Sequence, residues 1–120
     1  SEQQILAPNE TVKFTSSTLK STGMDYTNGN ILIANQGLYK VHFYTHTLQP
    51  DICLFGLKLN DSILTSTIYN TSNGFVIIDV PNNNSILNLV NLLNTQMIIT
   101  ITNNAITTIG VNASILITKI

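Results

Sequence analysis

Turn signals break this chain about every ten residues, and that spacing limits it to short extended segments. Asn28-Gly29, Asn35-Gln36-Gly37, Asn60-Asp61, Asn73-Gly74, Pro81 with Asn82 to Ser85, Asn103-Asn104 and Gly110 all use residues that accept a tightly turned or left-handed backbone. Between them lie runs rich in Ile, Thr, Val, Tyr and Phe, which fit a pleated, half-buried surface. The pattern predicts strands near 3–6, 11–15, 30–34, 38–47, 52–60, 62–69, 75–80, 86–91, 97–102 and 112–120. In "SILNLVNLL" the residues Ile86, Leu89, Val90 and Leu93 also have helical spacing. Asparagines at 88, 91 and 94 weaken a helix interior, so a strand is expected there too. About ten short strands in 120 residues predict one all-β domain, a β-sandwich or jelly roll of antiparallel strands.

The segment "GLYKVHFYTHT" from Gly37 to Thr47 has two contrasting faces. Tyr39, Val41 and Phe43 alternate with Lys40, His42 and Tyr44, the period of a half-buried strand. The first set is expected in the core, together with Phe55 and Leu57. The second set, continued by His46, is polar and aromatic and needs a separate account. Other runs are apolar on both faces: Ile77 is followed by Ile78, Ile98 by Ile99, and Ile115 to Ile117 are consecutive. A sandwich buries one face of each sheet, and no helix is expected to cover the other, so self-association is the simplest use of the second apolar set.

Charge narrows the function. Only 9% of residues are charged, the net charge is −1, and the five basic residues are all lysine. A nucleic-acid partner would call for a basic patch, and bidentate clamps on phosphate or carboxylate favour arginine. No apolar run reaches the ~18 residues of a membrane-spanning helix, and no targeting segment is evident, as in a mature fragment or a cytosolic chain. The polar half is carried by sixteen Asn, sixteen Thr and nine Ser. Such an exterior repels itself little, which favours close packing of like subunits.

Catalytic and metal signals are weak. His42 and His46 share a face but lie about 13 Å apart along a strand, too far to chelate one ion. One histidine per chain could still converge with its mates across a symmetry axis. Asp25, Asp51 and Asp61 fall at expected turns, while Asp79 in "FVIIDV" is expected to meet a lysine or lie at a sheet margin. The lone Cys53 is expected as a small buried apolar residue. No nucleophile elbow, phosphate-binding loop, zinc-protease motif or Cys/His cluster occurs, so no enzyme and no cofactor is expected. Sequons at Asn9, Asn60, Asn70, Asn83 and Asn112 are about as many as this composition produces by chance.

Three segments together resemble a known family. "GLYKVHFY" is similar to a G-x-Y-x-V-x-F strand, carried here by Gly37, Tyr39, Val41 and Phe43. "FVIIDV" followed by "SILNLVN" resembles a pair of apolar strands in the second half, and "VNASILITKI" a terminal N-A-S-L-x-I strand. These belong to the C-terminal head domains of BclA-type collagen-like glycoproteins of the bacterial spore exosporium, within the tumour-necrosis-factor and complement-like jelly-roll superfamily. The turn at Asn82 to Ser85 departs from the family's Gly-Asp turn, and the chain has no Gly-X-Y stalk. The resemblance implies one jelly-roll head over 1–120 that forms a homotrimer and registers collagen-like chains on a spore or extracellular bacterial surface. It also implies that Lys40, His42, Tyr44 and His46 line the subunit contact. Heads elsewhere in the superfamily bind receptors, so a host or surface receptor or a glycan is a second expected partner, reached through loops at 50–52, 70–74 and 82–85.

Overall fold

The computed structural model describes residues 4–14, 23–49, 51–99 and 113–120 in full, and the backbone of 16–19. Eleven strands follow one another among them: β1 (Gln4–Leu6), β2 (Ser16–Leu19), β3 (Met24–Thr27), β4 (Asn30–Ile33), β5 (Gly37–Thr45), β6 (Phe55–Leu59), β7 (Ser62–Ile63), β8 (Asn73–Val80), β9 (Ser85–Asn91), β10 (Met97–Ile99) and β11 (Ala113–Lys119). The described residues contain no α-helix; one 3-10 turn occupies Thr65–Thr67. The expected turns at Asn103-Asn104 and Gly110, and the sequon at Asn112, lie outside the described residues.

Two main sheets form the domain. One runs β2-β11-β5-β8, the other β3-β4-β9-β6-β7, and β1 pairs with β10 in a short ribbon. Every pairing is antiparallel except β2 with β11, which is parallel. Consecutive strands switch between the two main sheets at β2 to β3, β4 to β5, β5 to β6, β7 to β8 and β8 to β9. The chain therefore winds around one core.

That core is built by strict alternation. Tyr39, Val41 and Phe43 of β5, Ile78 and Val80 of β8, and Ile115 and Ile117 of β11 face Ile31 and Ile33 of β4, Phe55, Leu57 and Leu59 of β6, and Leu87 and Leu89 of β9. Phe43 is the centre of an aromatic cluster, with its ring edge-on to Phe55 at 5.7 Å and to Tyr69 at 5.5 Å. A Cβ at Gly74, which pairs with Phe43 in the next strand, would lie 2.5 Å from the Phe43 ring. The glycine is what leaves room for the ring against β8.

Asparagine makes the turns and closes the polar accounts inside. Asn28-Gly29 and Asn60-Asp61 both have positive φ at each residue, giving two-residue hairpins between β3 and β4 and between β6 and β7. Asn91 is fully buried; its amide nitrogen donates to the carbonyls of Leu6, Ala7 and Thr95 at 3.1, 3.2 and 3.1 Å, and its Oδ1 accepts from the Leu93 amide at 2.9 Å. One side chain thus ties the β1 end to the turn after β9. Asn88, also buried, donates to the Gly29 carbonyl and to Asn30 Oδ1.

Three expectations need correction. Residues 11–14 are no full strand: Thr11 makes one bridge to Val90, and Val12 donates to the Leu89 carbonyl, continuing the edge of β9 beyond β4. Residues 62–69 pair with β6 only at their ends, through β7 and a Phe55–Tyr69 bridge. Between them Thr67 turns inward, its buried hydroxyl accepting from the Leu57 amide at 3.1 Å and donating to the Leu64 carbonyl at 2.6 Å. Strand β3, with Asp25 inside it, was expected as turn. Residues 86–91, expected as strand against a competing helical spacing, are strand.

Two substitutions test this core. Asn91→Ala strands several buried carbonyls and should lower unfolding free energy by about 2–4 kcal/mol in urea titration. Gly74→Ala should cost about 1–3 kcal/mol, because Phe43 is held on both sides and cannot yield; a neutral result would mean the ring is free to move.

Candidate interaction surface

Pairing register turns the two-sided runs into a surface. Across the outer face of the four-stranded sheet, Phe75 of β8 pairs with His42 of β5, which pairs with Leu116 of β11. The neighbouring rows are Ile77, Lys40 and Thr118, then Asn73, Tyr44 and Ser114, then Asp79 and Leu38, with Ile120 donating its amide to the Leu38 carbonyl. Leu38, Tyr44, Phe75, Ile77, Leu116 and Ile120 are six of the twelve large apolar side chains exposed among the described residues. Half of that population therefore lies on one sheet face, and Phe75 and Ile77 are each more than 50% exposed.

His42 sits at the middle of this face, its ring edge-on to Phe75 at 6.2 Å. Lys40 and Asp79 are its two full charges; both are exposed. Lys58 and Asp61 form an ion pair at 4.0 Å, away from this face on the other sheet. Strand β8 is the last strand of this sheet among the described residues, and the hydroxyls of Thr71 and Tyr69 donate to the carbonyls of Asn73 and Phe75 at 2.6 and 3.1 Å.

The outer face of the other sheet is different. Val90 and Asn88 are buried there, and Leu92 lies over Gly56, where an added Cβ would come within 2.4 Å of its Cδ1. Only Leu32 and Ile86 stand out from its strands as exposed large apolar side chains.

The sequence-derived contact residues divide. Lys40, His42 and Tyr44 come together on the exposed face. His46 lies past the end of β5 and is half buried, with its Nδ1 unbonded; the buried Thr47 hydroxyl beside it is unbonded as well. The five expected core residues, Tyr39, Val41, Phe43, Phe55 and Leu57, are buried. Phe75, Ile77 and Leu116 belong to the surface but were not among the contact residues drawn from sequence. Their runs gave two-sidedness without phase, and only the register of β8 and β11 on β5 assigns each residue a side.

A cleft of about 360 Å³ opens between Leu48, Gln49 and Ile52 on one side and Thr95 to Ile98 on the other, lined by apolar and uncharged polar side chains. Among the described residues no three His, Cys, Asp or Glu side chains lie close enough to hold a metal ion. Cys53 is buried, and burial, with Asp51 adding to it, pushes its thiol above the ordinary range. No protein-family model matches the chain, and no curated protein sequence matches it.

Two measurements follow. Phe75→Thr with Ile77→Thr removes the most exposed apolar groups while keeping strand propensity, so unfolding of the dilute protein should change by less than about 1 kcal/mol; a larger loss would place these side chains in the domain's own core. Cys53 should react with a neutral aromatic disulfide at pH 8 far more slowly in the native than in the urea-unfolded chain. Equal rates would mean an open thiol.

Proposed function

We propose that this chain is a non-enzymatic assembly domain, a tumour-necrosis-factor-like jelly roll that associates into a homotrimer through the outer face of the β2-β11-β5-β8 sheet. The observation that carries the reading is the concentration of exposed apolar side chains on that face, against a largely self-covered opposite face. A monomer gains nothing from Phe75, Ile77, Leu116 and Leu38 in water, whereas an obligate subunit contact uses such a surface as its core. The strand order supports the jelly roll: H-bonded neighbours β11-β5-β8 and β4-β9-β6-β7 alternate along the chain as two wrapped antiparallel sheets do.

The biological setting rests on the resemblance at "GLYKVHFY", "FVIIDV" with "SILNLVN", and "VNASILITKI". On that basis the domain is the head of a collagen-like filament glycoprotein on a spore or other bacterial surface, and its work is to bring three chains into register. Its chemistry is association alone.

A second reading, a trimer that also binds a receptor or glycan, is favoured by the cleft beside Leu48 and Ile52, which lies at one of the expected outer loops.

Sedimentation equilibrium of the wild-type chain at micromolar concentration should give about three times the chain mass of 13.1 kDa. The Phe75→Thr/Ile77→Thr protein should dissociate toward the single-chain mass at the same concentration. A wild-type chain that stays at one mass unit up to roughly millimolar concentration would end the proposal.

A further inference from the structure

Pairing register leaves His42 at the centre of the exposed face with no carboxylate beside it. Phe75 of β8 and Leu116 of β11 flank it in the same row. One row away along β5 stand Lys40 and Tyr44, with Ile77 and Asn73 on β8 and Thr118 and Ser114 on β11. Lys119 pairs with Tyr39 and so belongs to the opposite side of the sheet. Strand β2, beyond β11, carries only Ser16, Ser17, Thr18 and Leu19. Asp79 is two rows off, about 13 Å along the strands, and His46 is as far in the other direction. Among the described residues of this face, the full charge nearest the imidazole is thus Lys40, of the same sign as a protonated histidine.

In a separate chain this arrangement costs little, because His42 is exposed and water solvates either form of the ring. The edge-on contact with Phe75 at 6.2 Å is made within one chain. It is present before and after assembly and leaves the balance between the two unchanged. What assembly removes is the water. A neutral imidazole packs into an apolar contact, whereas an imidazolium covered without an opposite charge is strongly disfavoured.

We propose that His42 gates self-association by pH: the face assembles while the imidazole is neutral and separates when it takes up a proton. This rests on the self-association reading above, with a second copy of the chain as the cover. A second copy presents the same apolar rows and a single carboxylate, so its contact over His42 is apolar unless Asp79 itself is placed there. The separate chain binds the proton and the assembled one does not, so falling pH draws the equilibrium toward separate chains. An ordinary imidazole titrates near pH 6.5, so the change falls between about pH 7.5 and 5.5 and approaches tenfold per chain.

Sedimentation equilibrium of the full chain at pH 7.5, 6.5 and 5.5 tests the gate, because the sequence holds only two histidines. Wild type should need at least about tenfold more protein for half-assembly at pH 5.5 than at pH 7.5. His42→Gln, neutral throughout, should hold one midpoint across the range, and His46→Gln should keep the wild-type slope. The melting temperature of the dilute glutamine variant checks that it is folded. In wild type itself, the ring-proton resonance of His42 should titrate in dilute protein and stay at its neutral position in concentrated protein. A midpoint independent of pH in an assembling wild type, or a slope that survives in His42→Gln, would overturn the gate and leave the interface standing. Tighter assembly at pH 5.5 would overturn it too, by placing a carboxylate such as Asp79 over the ring. A wild-type chain that stays single at pH 7.5 up to roughly millimolar concentration would remove self-association, and the gate with it.

Discussion

Phe43 fixes the side of the sheet on which every other residue of β5 must stand. Its ring is wedged between Phe55 and Tyr69 and rests over Gly74, a space that a single added carbon would close. Because side chains alternate along a strand, an inward Phe43 forces Lys40, His42 and Tyr44 outward. Backbone pairing carries the same decision sideways to Phe75 and Ile77 on β8 and to Leu116 on β11. A slip of one residue would exchange the two sets, placing a lysine and a histidine in the core. Core packing and the composition of the outer face are thus consequences of one constraint.

The scarcity of charge and the abundance of asparagine belong together. Asparagine accepts positive φ at positions 9, 28, 60 and 84, where other side chains would be strained. Inside the fold, Asn88 and Asn91 satisfy carbonyls that would otherwise be buried without donors. Polar work elsewhere entrusted to charged groups is done here by amides and hydroxyls. The result is an exterior with few charges to keep copies apart.

Much of the fold was legible in the sequence because alternation and turn chemistry are local. The β5, β8, β9 and β11 strands were visible in their own residues, as was the buried set from Tyr39 to Leu57. Strand β3 went unread although its signal was present, since Asn28-Gly29 demands a strand on each side and only the second was assigned. The 3-10 turn at Thr65–Thr67 was not legible, because it depends on the Thr67 hydroxyl reaching Leu57, a contact between segments. The outer surface was half legible for the same reason. Lys40, His42 and Tyr44 follow from one strand, while Phe75, Ile77 and Leu116 join them only through register. Asp79 was expected to meet a lysine or lie at a sheet margin, and it stands on β8, the last strand of its sheet among the described residues.

The central claim is that water does not reach the outer face of the four-stranded sheet once copies meet. Nuclear relaxation by a soluble, neutral gadolinium chelate reads this directly, residue by residue, in the concentrated wild-type protein. The account predicts that signals of Lys40, His42, Phe75, Ile77 and Leu116 are spared, while those of Leu32 and Ile86 on the opposite sheet are broadened. Equal broadening of both groups at concentrations where the protein is assembled would contradict it.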